Sequence, residues 1–344
     1  MTDDRRAANL ALWSRERGEG RLTLASRPLE IQIEATNRCG RSCPTCARNY
    51  YDRAANAPGD LSPAVLDSIA PLFSTAETVL VGGYGEPLLA EITFDILARA
   101  HDAGCRTVLI TGGGELDEER ILKLWHARLT EIVLSLDGAT EETNFARRGV
   151  SMGEMFAGLR RLGYLWPVKV AINVTLQKAN LDELPGIVRL FRGTAKEDPT
   201  SVQVFHQKIY STTQADHSAL DEPERTARVF ASASEEARLN NVQLDLPPLS
   251  GARPCEQPYR MLAIRHDGLV QGCCSALFES NIPRVMLGRL PDDDPLALWN
   301  APAMQDARRW ALGEGPPNAP CANCAFRVFT AQAHRRFLDE ARDD

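Results

Sequence analysis

At 344 residues the chain is too long for one small domain and long enough for two. Hydrophobic residues make up 44%, so a chain that folds around ordinary cores is expected rather than a largely disordered one. The formal charge of −7, with no long basic run, argues against nucleic acid or an anionic membrane as main partner, and no apolar run reaches the roughly 18 residues of a membrane span.

The first twenty residues, MTDDRRAANLALWSRERGEG, lack the apolar core of a signal peptide. Nine cysteines without a secretion signal read as thiols in a reducing compartment, so a cytoplasmic location is expected. Residues 5–17 have helical composition and stop at Gly18 and Gly20, giving an N-terminal helical extension over 1–28. From Leu29 to about Gln207, short β-rich runs alternate with helical stretches, the mark of βα units on a parallel sheet. Strands are expected at 29–35, 78–82, 106–111, 131–136, 168–175 and 201–206. Helices are expected at 62–74, 92–103, 117–127, 151–163 and 182–192, with Ser62-Pro63 and Asp117 as starts.

Directly after the first strand stand Cys39, Cys43 and Cys46, three thiols within eight residues. Three close thiols on a loop suit a metal cluster better than a fold staple. A [4Fe–4S] cluster has four irons, so three thiolates leave one iron open, as catalytic metal sites keep a position open. A partial zinc site completed by a distant ligand is the alternative on spacing alone. Cys105 has no cysteine near it and reads as a buried thiol. No pair of histidines has metal-ligand spacing.

The phrase IEATNRCGRSCPTCARNY resembles the cluster loop of radical S-adenosylmethionine (SAM) enzymes, C-x3-C-x2-C after the first strand of a partial (βα)6 barrel. Many members place an aromatic residue before the third cysteine, where this chain has Thr45. The resemblance implies that the open iron chelates SAM, and that electron transfer from the reduced cluster releases a 5′-deoxyadenosyl radical. It also implies an electron donor such as flavodoxin or ferredoxin.

Catalytic groups of parallel barrels gather at the C-terminal ends of the strands. GGYGEPLL, ending strand two, resembles the family's GGEP-type motif. Gly83 and Gly85 permit close backbone approach, and Glu86 suits the SAM ammonium. SLDG ends strand four, with Ser135 and Asp137 on one face, and the resemblance implies that this position contacts the SAM ribose or carboxylate. Asn173, polar within strand five, is a further SAM contact. Substrate contacts are expected from Gln32 and Glu34 on strand one and from His206, Lys208 and Tyr210 after strand six.

Residues 29–215 thus form the expected barrel and 216–250 a linker helix. The region 251–344 forms a small Cys-rich α+β domain. Within it, RMLAIRHDGLVQGCC reads as a hairpin with strands at 260–265 and 269–273 around His266-Asp267-Gly268. The spacing of Gly268 and Cys273, the LGRL and LALWN phrases and a closing C-x2-C resemble the SPASM or shorter Twitch extension, which binds auxiliary Fe–S clusters. The resemblance assigns Cys255, Cys273, Cys321 and Cys324 to one auxiliary [4Fe–4S] cluster, against the alternative of a Zn(Cys)4 site. That leaves Cys274, whose side chain on a strand faces away from that of Cys273.

The family fixes the radical and not the substrate. Few residues precede strand one, which favours a small polar substrate, such as a sugar, aminoglycoside or cyclitol of secondary metabolism, over a ribosomal peptide. The expected reaction is epimerisation, with Cys274 returning a hydrogen atom to the substrate radical. The alternatives are a dehydrogenase passing an electron to the auxiliary cluster, a ribosomal-peptide maturase, and a non-catalytic Fe–S or zinc scaffold.

Overall fold

In a computed structural model the described residues are 2–44, 46, 48, 57–191, 200–206, 218–251, 255–272, 286–316 and 324. The chain opens with helix α1 (Thr2–Gly18) and strand β1 (Glu30–Ile33). There follow α2 (Pro63–Ile69), β2 (Thr78–Val81), α3 (Ile92–Asp102), β3 (Arg106–Thr111), α4 (Glu118–His126) and β4 (Glu131–Ser135). Next come α5 (Glu141–Arg148), α6 (Met152–Leu165), β5 (Lys169–Leu176), α7 (Leu184–Leu190) and β6 (Ser201–His206). β1 to β6 lie side by side in chain order, every pair parallel.

The helices start where their caps dictate. Ser62, Asp117, Thr140 and Ser151 each accept an amide from their own first turn, so each donor is satisfied before the helix begins. The strands read as apolar runs because helices cover one face and the barrel interior the other. Ile31, Ile33, Val79, Val81, Leu109, Ile132, Leu134, Ile172 and Val174 face the large helix-side core. Val108, Val133 and Ala171, with Leu80 and Ile110, form a separate small cluster on the inner face. One pleat further along β4 and β5, the inner face turns polar at Ser135 and Asn173, which are register partners.

The segment expected as a linker contributes to the barrel instead. Its helix α8 (Pro223–Asn240) packs on α7, and β7 (Gln243–Asp245) extends the parallel sheet beyond β6. Three residues of mostly polar strand carry no apolar signal, and only the neighbouring backbone makes them a strand.

The C-terminal part adds α9 (Gln257–Arg260), β8 (Met261–Ile264), β9 (Leu269–Gln271), β10 (Met286–Arg289), α10 (Pro295–Trp299) and α11 (Pro302–Ala311). The expected hairpin is present, and Gly268 makes its turn at φ 81°, where a side chain would overlap the Leu290 carbonyl. β8 pairs parallel with β1, so a single open sheet runs β10-β9-β8-β1-β2-β3-β4-β5-β6-β7. The Glu34 amide donates to Ile264 at 2.8 Å and the Leu29 amide to Arg260 at 2.9 Å, carrying the ladder past both ends of the pair.

Helix α1 is bound to both regions. Asn9 exchanges hydrogen bonds with the Arg27 backbone, Arg6 donates to the Ala76 and Ala103 carbonyls, and the Trp13 indole donates to Tyr259 at 2.7 Å. Between α1 and α11, Arg308 is wholly buried. It donates to the carbonyls of Pro258, Leu22 and Trp299 while lying 4.5 Å over the Trp299 ring.

Candidate active site

Cys39, Cys43 and Cys46 follow β1 on a loop held by backbone contacts, and all three thiols are half-buried. Thr36 and Asn37 tie the entry of the loop to Gly59, and Asn37 also donates to the Ala57 carbonyl, so entry and exit are fastened together. Arg48 reaches back to the carbonyls of Cys39 and Arg41. Arg41 donates to Gly149 and pairs with Glu115 at 3.1 Å, linking the loop to the ends of α5 and β3. Burial pushes the pKa of all three thiols up, opposed at Cys39 by the Arg41 amide. The thiols therefore stay protonated until a metal takes the proton's place. Among the described residues no three His, Cys, Asp or Glu side chains converge as the ligands of one ion. A cubane asks for a different arrangement, one thiolate on each of three irons.

The glycine loop after β2 lies against this loop so closely that the glycines are obligatory. A side chain at Gly85 would overlap the carbonyls of Thr36 and Arg38, and at Gly83 it would stand 2.6 Å from Glu34 Cγ. Glu86 is buried, accepting from Leu88 N at 3.2 Å, Thr111 Oγ1 at 2.7 Å and Gly112 N at 3.0 Å. Burial, reinforced by the neighbouring Glu115 carboxylate, pushes its pKa up to about 7.

Asp137 is also buried, and both its oxygens are engaged. One accepts from Thr175 N at 2.7 Å and the other meets Arg148 Nε at 2.7 Å. It is therefore held by protein partners rather than standing open to a ribose as expected. Arg148 closes α5, whose end is set by Gly149 in the left-handed region at φ 62°. The carbonyl of Arg148 accepts from the Cys43 thiol at 3.3 Å. Burial works against the Arg148 charge, yet Asp137 and then Cys43 hold its pKa above the usual arginine value. Sequence patterning passed over Arg148, because nothing in ARRG distinguishes it from a surface arginine at a helix end. Asn173 Oδ1 is buried without a hydrogen-bond partner on the inner face, beside Ser135. An orphaned acceptor next to a hydroxyl fits a ligand that brings donors there.

The two strand-one candidates are used internally. Gln32 donates to the Gly82 carbonyl at 3.2 Å. Glu34, with no exposed surface, accepts from Tyr84 N and from His266, so neither group is presented to a substrate as expected. His206 ends β6 opposite Leu176, while its side chain, Lys208 and Tyr210 lie outside the described residues. Of the C-terminal thiols, Cys255 and Cys324 are half-buried; Cys273, Cys274 and Cys321 lie outside the described residues.

An open parallel α/β sheet with a three-cysteine loop beyond its first strand, a glycine loop beyond the second and polar inner residues on the fourth and fifth is the architecture of a cluster-bearing barrel enzyme. The family models name it. Residues 33–191 match the radical SAM superfamily and residues 255–325 the SPASM iron–sulfur cluster-binding domain. The chain is a radical SAM protein with a C-terminal SPASM domain. Such a radical SAM domain binds SAM and a [4Fe–4S] cluster, and the SPASM domain binds auxiliary Fe–S clusters.

Among relatives, the chain is 31% identical over 168 residues to the AdoMet-dependent heme synthase of Methanosarcina barkeri. That match spans 47% of this chain and 47% of the synthase, so the chain covers about half the length of that relative. It is 26% identical over 312 residues to the PqqA peptide cyclase of Ruegeria pomeroyi, covering 85% of this chain and 79% of the cyclase. The fold is similar to that of Streptococcus suis SuiB bound to precursor peptide SuiA, with a TM-score of 0.64 and 17% identity. That likeness covers 86% of this chain and 69% of SuiB. Among the described residues no helix is long and apolar enough to cross a membrane.

Proposed function

We propose that this protein is a radical SAM maturase of a peptide substrate. The observation that carries this reading is the extent of the match to a peptide cyclase: it spans 85% of the chain, more than the barrel alone occupies. The heme synthase is more alike in sequence but only over about half the chain, which supports shared radical chemistry more than a shared substrate. The substrate expectation thereby moves from a sugar-like molecule to a peptide, and the epimerase assignment through Cys274 gives way to modification of a peptide side chain or backbone carbon.

When bound, SAM on the reduced cluster supplies a 5′-deoxyadenosyl radical that abstracts a hydrogen atom. The residues of this chain have separate tasks around it. Cys39, Cys43 and Cys46 would hold the cluster, Gly83 and Gly85 would let backbone come close to the cofactor, and Ser135 and Asn173 would offer it polar atoms from the inner face. Val108, Val133 and Ala171 form a dry floor below them, which limits quenching of the radical by water. Cys255, Cys273, Cys321 and Cys324 would hold an auxiliary cluster, and a flavodoxin or ferredoxin would supply the reducing electron.

The test is peptide-range mass spectrometry on cells carrying the wild-type protein and on cells carrying a Cys39→Ala, Cys43→Ala, Cys46→Ala variant. A peptide lighter by a pair of hydrogen atoms only with wild type is the expected outcome. A change confined to small metabolites would overturn the peptide reading.

A further inference from the structure

The hairpin turn of the C-terminal domain reaches into the barrel and touches the glycine loop through one buried carboxylate. His266, in that turn, is 6% exposed, and Glu34, at the end of β1, is fully buried. His266 Nδ1 lies 2.7 Å from Glu34 Oε2, which also accepts the His266 backbone amide at 3.2 Å. The other carboxylate oxygen, Oε1, accepts the Tyr84 amide at 2.7 Å, in the middle of the glycine loop. His266 Nε2 lies 3.2 Å from the carbonyl of Ala57, beyond the cysteine loop, to which Asn37 also donates at 3.1 Å.

Each ring nitrogen has an oxygen within hydrogen-bond distance, Glu34 Oε2 on one side and the Ala57 carbonyl on the other. One side chain of the C-terminal domain thus fastens three segments of the barrel: the end of β1, the glycine loop and the exit of the cysteine loop. The glycine loop packs directly on this side chain: a Cβ at Gly83 would stand 2.6 Å from Glu34 Cγ and 2.7 Å from its Oε1. Glu34 holds the middle of the loop at the Tyr84 amide, alongside the backbone bonds at Gly82 and Glu86, and His266 holds Glu34.

We propose that His266 is a positioning residue for SAM binding, making the shape of the barrel's glycine loop depend on the docked C-terminal domain. At metal sites, loss of a group that orients the binding layer typically costs roughly 10–100-fold in affinity or activity, and the same scale is expected for SAM here. A chain whose C-terminal hairpin is not docked would hold SAM weakly, so radical formation would wait for the domain that receives the electron. The inference does not depend on which substrate the enzyme takes.

The experiment uses the full chain with its clusters reconstituted anaerobically. SAM affinity is measured by equilibrium dialysis, and amide hydrogen exchange is followed over residues 78–90. His266→Ala should weaken SAM binding at least about tenfold and speed exchange at Tyr84, with iron content and exchange at Val204 on the far side of the sheet unchanged. Glu34→Gln should do the same. His266→Asn, which keeps a donor toward Glu34, should restore most of the affinity. If the Ala variant does not fold, His266→Phe keeps a ring there, lacks both ring nitrogens and carries the same expectation. SAM affinity within about twofold of wild type, or unchanged exchange at Tyr84, overturns the proposal.

Discussion

Asp137 and Arg148 meet at 2.7 Å in the wall behind the cysteine loop, and the same arginine offers its carbonyl to the Cys43 thiol. A buried ion pair of this kind places a positive charge beside Cys43, and its two partners depend on each other.

Asp137→Asn is expected to leave the Arg148 cation without its counter-charge in a buried site. Breaking such a pair costs on the order of 3–5 kcal/mol. Urea unfolding of the cluster-free protein measures it. The double variant Asp137→Asn, Arg148→Met should recover part of that loss, because no lone charge is then left behind.

Two clusters are expected, three cysteines holding one and four the other. Iron and sulfide analysis after anaerobic reconstitution should give about eight of each per chain. Replacing Cys39, Cys43 and Cys46 together by Ala should remove half. Stoichiometric zinc with only one cluster's worth of iron would contradict the C-terminal assignment.

The raised pKa of Glu86 gives a pH dependence with a definite sign. The folded carboxyl holds its proton up to about 7, whereas the ordinary value is 4.5, so between these the folded state binds more protons than the unfolded. Its contribution to stability is fully present below 4.5 and is lost as pH rises to about 7, on the order of 3 kcal/mol in all. Glu86→Gln, which stays uncharged, should flatten that part of the stability curve of the cluster-free protein. An unchanged slope would mean the carboxyl is not buried in solution as it is here.

Reduction of the reconstituted protein with SAM present should yield 5′-deoxyadenosine. Glu86→Ala should weaken SAM binding by about 1.5–3 kcal/mol if the carboxyl meets the ammonium. Failure of the wild type, clusters intact, to cleave SAM above background would contradict the enzymatic reading.

Arg308 is expected to be the most costly single loss outside the site. Burial pushes its pKa down to about 10, which still leaves it charged at neutral pH. Arg308→Met strands the Pro258, Leu22 and Trp299 carbonyls without their donor and should cost about 3 kcal/mol or more. Arg308→Lys should recover little of it, because one ammonium cannot span three segments. Thermal unfolding of both variants reads the difference.

Much of the barrel was legible because its strands are apolar runs bounded by glycine or helix caps. β3 and β6 fall at their expected limits, and the others within one or two residues. The cysteine loop was legible because thiol spacing is local. What stayed hidden was non-local. α5 is short and half charged, and β7 is mostly polar, so neither shows an apolar stripe. Glu34 read as a lumen residue from its alternation with Ile33, and that placement on the inner face is right. Its use is not, because the histidine that takes it comes from a turn near the other end of the chain.

The shared ladder between β1 and β8 has a mechanical consequence. Domains joined by a linker can swing, and the gap between their cofactors then varies with the motion. Here the strand that leads into Cys39 is hydrogen-bonded along its length to the strand that follows Cys255. Backbone hydrogen bonds of a sheet interior open only with the cooperative unit they belong to. The placement of the strand before Cys39 against the strand after Cys255 is therefore set when the chain folds. While that ladder holds, the two strands cannot part by a hinge motion between the barrel and the C-terminal hairpin.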